Sequence, residues 1–547
     1  MKTGGQIIVD CLEAQGVERI FCVPGESYLA VLDALHDSEI ETVVARQEGG
    51  AAMMAEADGK LTGRPGICFV TRGPGATNAT SGVHVAKQDS TPMILLVGQI
   101  GRRMRGREAF QEVDYRQTFG DLAKWVEEID HVDRIPEILS HAYHVAMSGR
   151  PGPVVLALPE DMLTEQTDVT VGPYVEVAEP APTEQSLAAI ETLLSEAENP
   201  LLIVGGSRWN EEAVAELTTF SENWGLPVAC SFRRQQLFDH LHPHYAGDVG
   251  LGINPALKSR IAESDLALLL GARFSENPSQ GFSLFGIPKT SQKLIHILSG
   301  AEELGRIYVP DVAVNATPGT FLNAMNARPA VRAARKTAEA AHNAYRNWTD
   351  SLPQTVGDVQ MGHVMEVLRD TLPSDAIMTN GAGNFAIWLH RFWRFRQFGT
   401  QLAPTSGSMG YGLPAAVAGK LRHPEREVVC LAGDGCFQMT MQEFGTAVQF
   451  GAKIIVILID NGVYGTIRMH QEREYPARIS ATDLQNPDFA MIASAYGAHS
   501  ETVVKNEEFL PALERSRKSG KAALIHIKTD PEAITPTTTL TELRNNR

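Results

Sequence analysis

Residues 433–461 read GDGCFQMTMQEFGTAVQFGAKIIVILIDN. A polar turn, a helical stretch and an apolar run follow one another, so Gly433, Asp434 and Gly435 stand after one strand and Asn461 ends the next. The 25 residues between Gly435 and Asn461 make a strand-helix-strand unit, which predicts a carboxylate and an amide facing one crevice. Mg²⁺ takes hard oxygen ligands in a near-octahedral array and usually shares them with a phosphate. Asp434 and Asn461 supply two such oxygens, and a backbone carbonyl near Val463 supplies a third. Gly435 lets the backbone approach a diphosphate closely, and the helix after it, from Cys436 onward, aims N-terminal amides at that charge. A GDG tripeptide alone is most often a surface turn; its spacing to Asn461 makes it a signature.

Outward from this stretch the chain alternates short apolar runs with helical periods. RIFCV, ICFVT, MILLVG and PVVLALP near the N-terminus each end in a Gly or Pro turn, which predicts a mostly parallel sheet with helices on both faces. Residues 160–185 are acidic and Pro-bearing and read as a linker. PLLIVGG, LALLLGA and KLIHIL mark a second α/β block, and the Ala-, Arg- and Lys-rich stretch at about 328–350 reads as a helical connector. The expectation is an α/β chain of three doubly wound domains, at 1–165, 185–326 and 355–530, with a polar tail lying on the surface or near a partner subunit.

Bulk composition narrows the function. A length of 547 residues asks for about three domains, and 43% hydrophobic with 21% charged residues is ordinary globular material. The net charge of −17 argues against nucleic acid as a partner. No stretch approaches the roughly 20 apolar residues that cross a membrane, and no secretory signal opens the chain. Six cysteines without a CxxC pair read as reduced thiols and point to a cytoplasmic location.

The metal stretch resembles the signature of thiamine-diphosphate enzymes, in which Asp and Asn hold the ion that anchors the cofactor's diphosphate. A second region, 43–100, contains RQEGGAA with Glu48 and the turn Gly73-Pro74-Gly75-Ala76-Thr77-Asn78. It is similar to the pyrimidine-binding half of the acetolactate synthase (acetohydroxyacid synthase) large-subunit branch. The resemblance implies roles residue by residue. Glu48 would hold the pyrimidine ring nitrogen, working in an apolar pocket that raises its pKa; taken alone, it reads as a helix N-terminal glutamate favoured by the macrodipole. Met409 in TSGSMGYGLP would prop the bent cofactor, although Met is usually a core gap-filler. Gly383, Asn384 and Phe385 after the strand AIMTN would touch the diphosphate, where the family often has Gln-His. Gly433, Asp434, Gly435, Cys436 and Asn461 would complete that end, with Asp434, Asn461 and Val463 on Mg²⁺.

The reaction implied is decarboxylation of a 2-oxo acid, pyruvate, and coupling to a second 2-oxo acid, as in branched-chain amino acid biosynthesis. Phe110 and Gln111 would line the acceptor side; as bare residues they read equally as an amphipathic loop. The chain also departs from the branch. Thr466-Ile467 and His470 replace Met-Val and a Trp that helps choose the acceptor, and Glu160 replaces a Lys. Arg273-Phe274 and Gly205-Gly206 resemble parts of an FAD site, yet Leu298 and Ser275-Glu276 stand where acids are expected, so FAD stays open. The alternatives are a 2-oxo-acid decarboxylase, against which the lack of any His-His pair counts, and a lyase or acyltransferase on another aldehyde or oxo acid. Family members place the cofactor between the first domain of one subunit and the third of another, which implies a homodimer or homotetramer.

Overall fold

The computed structural model describes residues 1–330 and 337–545. Three six-stranded sheets are present, and every strand pair within them is parallel. Strands joined in parallel need crossover connections, and the helical periods in the sequence supply them. The chain condenses into two compact units.

The first unit comprises Met1–Ala178, Pro404–Pro424 and Thr440–Ala452. Its sheet contains β1 (Arg19–Cys22), β2 (Glu41–Val44), β3 (Gly66–Val70), β4 (Met93–Gln99), β5 (Trp125–Glu128) and β6 (Pro153–Pro159), in the order 2-1-3-4-6-5. All residues of β3, β4 and β6 are buried, which explains their unbroken apolar runs: a parallel strand covered on both faces has no polar side to show. The expected linker at 160–185 is partly ordered into this unit. Gln166–Thr167 pairs antiparallel with Lys2–Thr3, and Gln15 Oε1 accepts the Val175 amide at 2.9 Å; backbone pairing outweighs the turn-rich composition.

The second unit comprises Glu179–Ala403, Glu425–Met439 and Lys453–Arg547. Its central sheet contains β7 (Pro200–Val204), β8 (Val228–Ser231), β9 (Tyr245–Val249), β10 (Leu266–Leu270), β11 (Lys293–Leu298) and β12 (Val312–Asn315). Their order is 9-8-7-10-11-12, the arrangement of dinucleotide-binding folds. Of the expected helical connector, residues 328–330 are not helical, residues 331–336 lie outside the described residues, and Thr337–Thr349 is a helix.

The last sheet contains β13 (Ile377–Asn380), β14 (Gln401–Leu402), β15 (Val428–Gly433), β16 (Ile455–Asp460), β17 (His499–Val503) and β18 (Ala523–Lys528), ordered 14-13-15-16-18-17. Counted from its own first strand this is 2-1-3-4-6-5, the order of the first sheet. The polar tail is surface chain with two apolar anchors. Ile534 and Leu540 are buried, and Arg544 of helix Leu540–Asn545 pairs with Glu472, a carboxylate already sealed inside helix Gly465–Glu474.

Candidate active site

In open parallel sheets, ligands bind beyond the carboxyl ends of the strands where the strand order reverses. In the last sheet that point lies between β13 and β15. After β13 come Gly383, Asn384 and Phe385, the last opening helix Phe385–Phe392. After β15 come Gly433 and Asp434, the latter opening the short helix Asp434–Gln438. The two turns meet: a Cβ at Gly433 would lie 2.9 Å from the Phe385 ring. Asn384 Oδ1 accepts from Thr466 Oγ1 at 2.9 Å, and its Nδ2 faces Met469 Sδ at 3.4 Å.

Asp434 is 3% exposed. Its Oδ1 accepts the Gly435 amide at 2.8 Å, and its Oδ2 accepts the Gly462 amide at 2.9 Å and Asn486 Nδ2 at 2.7 Å. All three donors are neutral, and among the described residues no Lys or Arg pairs with this carboxylate. Burial is the largest influence and pushes its pKa up, against the Gly435 and Asn486 hydrogen bonds, with nearby Asp460 adding repulsion. Asp460 differs. Burial would raise it too, but hydrogen bonds from His526, Lys528 and Asn486 prevail and hold it below the usual range.

Asn461 sits beside this pair, its Oδ1 receiving only a 3.2 Å contact from the Val463 amide. The Val463 carbonyl accepts no hydrogen bond among the described residues. The donor set therefore fits a hard divalent cation: one buried carboxylate without a countercharge, one amide oxygen and one open carbonyl. A Cβ at Gly435 would lie 2.5 Å from the Tyr464 ring and 3.3 Å from Leu484 Cδ1, and the Gly435 amide donates to Asp434 Oδ1. Cys436 is buried at 3% exposure in the same helix.

In the first unit, Glu48 opens helix Glu48–Thr62 just beyond β2. Gln47 caps that helix, its side chain accepting the amides of Gly49 and Gly50 at 2.6 and 3.2 Å. Glu48 is half-buried, and its Oε2 accepts from Asn78 Nδ2 at 2.9 Å, so its pocket is not purely apolar. Gly73, after β3, holds φ +55°, and a Cβ there would lie 2.8 Å from Gln111 Cβ. The fold thus brings Glu48, the GPGATN turn and Gln111 together. Phe110 is not packed with them: it is 72% exposed. Met409 is half-buried before helix Gly412–Arg422, and the adjoining Gly410 carbonyl accepts Thr440 Oγ1 at 2.7 Å. Glu160, a departure in sequence, pairs with Arg72 at 2.8 Å. His470 is exposed and faces Arg473 at 2.7 Å.

Asn486 is a polar partner of the site that sequence reading did not single out, and Asn78, there only the last residue of the GPGATN turn, is a second whose contact with Glu48 was not foreseen. Asn486 bridges Asp434 and Asp460, and the Asn-Pro-Asp run that ends in the capping Asp488 was the available signal. In the central sheet Leu298 ends β11 at 5% exposure, and Ser275 and Glu276 follow Arg273-Phe274.

Comparison with known proteins agrees with this geometry. Residues 2–118, 187–325 and 381–527 match the N-terminal TPP binding, central and C-terminal TPP binding domains of thiamine pyrophosphate enzymes. The acetolactate synthase isozyme 2 large subunit of Escherichia coli (strain K12) is 31% identical over 532 residues, 96% of this chain and 95% of its own length. The acetolactate synthase of Arthrospira platensis is 34% identical over 536 residues, 92% of this chain and 90% of its own length. The acetolactate synthase large subunit of Corynebacterium glutamicum is 31% identical over 539 residues, 94% of this chain and 85% of its own length. With such matches running nearly end to end, the chain belongs to the thiamine-diphosphate enzymes, in their acetolactate synthase-like branch.

Proposed function

We propose that this protein is a Mg²⁺-dependent carboligase that decarboxylates a 2-oxo acid, pyruvate, and couples the product to a second 2-oxo acid. The observation that carries the reading is Asp434, a buried carboxylate with only neutral donors, beside the amide oxygen of Asn461 at the switch point of the last sheet. When bound, thiamine diphosphate supplies the electron sink for the decarboxylation. Asp434, Asn461 and the Val463 carbonyl hold the ion that neutralises the diphosphate. Gly383, Asn384, Phe385, Gly433, Gly435 and Cys436 shape the backbone around that group. Glu48 holds a proton at the pyrimidine ring nitrogen, kept in place by Asn78. Met409 supports the bent conformation, and Phe110 and Gln111 line the acceptor side.

The active form is a homodimer or homotetramer with its sites between subunits. All six cysteines are buried free thiols, in keeping with a cytoplasmic protein. Among the described residues no helix is long and apolar enough to cross a membrane. A lyase or acyltransferase reading draws support from Thr466 bonded to Asn384 and from an exposed His470, which alter the acceptor segment.

Incubation with thiamine diphosphate, Mg²⁺ and a panel of 2-oxo acids tests the reading. Acetolactate is the expected product; acetaldehyde alone would favour a decarboxylase. Glu48→Gln should lower turnover by roughly 10²- to 10⁴-fold with the cofactor still bound, and unchanged turnover refutes the role given to Glu48.

A further inference from the structure

Within the motif segment 433–461, one buried acid has no part in holding an ion. Glu443 opens helix Glu443–Gln449 and is 0% exposed. Its carboxylate accepts the Arg46 amide at 3.2 Å on Oε1 and 3.1 Å on Oε2, and Thr446 Oγ1 at 2.7 Å on Oε2. The Gln47 amide is also directed at it. These are the two residues immediately before Glu48. The Arg46 side chain reaches Gln449 on the same helix, tying the segment a second time. Space for the carboxylate exists only because residue 50 is glycine, where a Cβ would lie 2.5 Å from Glu443 Oε1.

The Arg46 and Gln47 amides that face Glu443 can only donate, and a carboxylate accepts on both oxygens. A glutamine keeps one accepting oxygen where the carboxylate has two, and carries no charge. Burial raises the Glu443 pKa, while Thr446 and the two backbone amides pull against it; the hydrogen bonds compensate for desolvation that would otherwise expel the group. A buried acid with this donor set is an anchor for the backbone it touches. That backbone leads directly into the first turn of the helix carrying Glu48.

We propose that Glu443 is a positioning residue for Glu48: through the Arg46 and Gln47 amides it fixes the entry of helix Glu48–Thr62 and so the direction of the Glu48 carboxylate. The inference rests on the role given to Glu48 above. The consequence is specific. Loss of the anchor slows the proton step that Glu48 promotes without weakening recognition of the 2-oxo acid.

The test is hydrogen–deuterium exchange at the thiazolium carbon of thiamine diphosphate bound to the full-length holoenzyme, read by NMR after acid quench, together with kcat and KM. Glu443→Gln should slow exchange and kcat by about 10- to 100-fold with KM for pyruvate within about 3-fold. Gly50→Ala, which pushes on the same carboxylate, should act in the same direction. If Glu443→Gln fails to fold, Thr446→Val retains the carboxylate and should slow exchange about 3-fold. Exchange at the wild-type rate in a folded, cofactor-loaded Glu443→Gln or Thr446→Val protein overturns the proposal. Exchange that survives Glu48→Gln would instead remove the role of Glu48 itself; exchange lost in Glu48→Gln but intact in Glu443→Gln sinks only the positioning role.

Discussion

The central and last sheets share strand number, parallel sense and glycine turns at the switch point, but not what stands beside those turns. In the central sheet the turns after β7 and β10 close on each other. A Cβ at Gly206 would lie 2.0 Å from the Gly271 carbonyl oxygen, and Trp209 Nε1 donates to the Gly205 carbonyl at 2.8 Å. In the last sheet the turns after β13 and β15 meet through a side chain, Phe385, and leave Asp434, Asp460, Asn461 and Asn486 clustered beside them. One edge is sealed by backbone and tryptophan, and the other keeps an acid that lacks a countercharge. The strand order of the central sheet is the one associated with dinucleotides, and Leu298 ends β11 as a buried apolar side chain. Topology offers a place; the side chains at its rim decide whether anything is held there.

The largest effect should come from removing the acid. Asp434→Ala is expected to weaken thiamine diphosphate binding in Mg²⁺ by more than about 100-fold and to abolish turnover, read by calorimetric titration. Wild-type affinity would erase the contrast between the two edges. Next in size are the glycines. Gly206→Ala carries φ +71° and a backbone collision, so it should cost more than about 2 kcal/mol. Gly435→Ala meets side chains, the Tyr464 ring and the end of Leu484, which can shift, and should cost about 1–3 kcal/mol. Denaturant unfolding ranks them, and the reverse order would show that the central turn is the more yielding.

How much of this was legible beforehand depended on what kind of contact fixed each feature. The strands β3, β4, β6, β7 and β10 were visible because a fully covered parallel strand is an unbroken apolar run. Asp434, Asn461 and Glu48 were visible because they occupy fixed places next to glycine turns. Asn486 and Glu443 were not, because their importance comes from partners 52 and 397 residues away in the chain. The tail's polar composition likewise hides Ile534 and Leu540, whose burial only tertiary packing reveals. The packing of Tyr464 against Gly435 was likewise out of sight, since Tyr464 is 29 residues downstream.

A smaller effect tests the sealed edge by pH. Asp248, in β9, has its Oδ1 shut off from solvent without a hydrogen-bond partner. Burial holds its pKa well above the usual aspartate range, against the pull of Arg233. A carboxyl raised in this way binds more protons folded than unfolded. Its contribution to stability is full below the unfolded-state pKa and is lost as pH rises through the folded one. Stability should therefore fall with rising pH across that window by at most about 1.4 kcal/mol per pH unit. Asp248→Asn should flatten the slope in thermal melts and leave thiamine diphosphate affinity unchanged. A slope identical in the two proteins would mean that Asp248 does not titrate in that window.

The smallest effect concerns Phe110, and it separates a place from its occupant in the first sheet as well. Gln111 packs against Gly73 and through that turn shares the neighbourhood of Glu48, whereas Phe110, one residue earlier, is 72% exposed. An exposed ring buries little area on folding, so Phe110→Ala should change stability by no more than about 0.5 kcal/mol. If the ring serves the acceptor side in the assembled enzyme, the same variant should raise KM for the second 2-oxo acid several-fold, about 1 kcal/mol of lost binding, while decarboxylation of the first proceeds normally. Steady-state kinetics with the two substrates varied separately reads that difference. A variant altered in neither stability nor acceptor KM would reduce Phe110 to a loop residue, leaving Gln111 as the one member of the pair with a structural claim on the site.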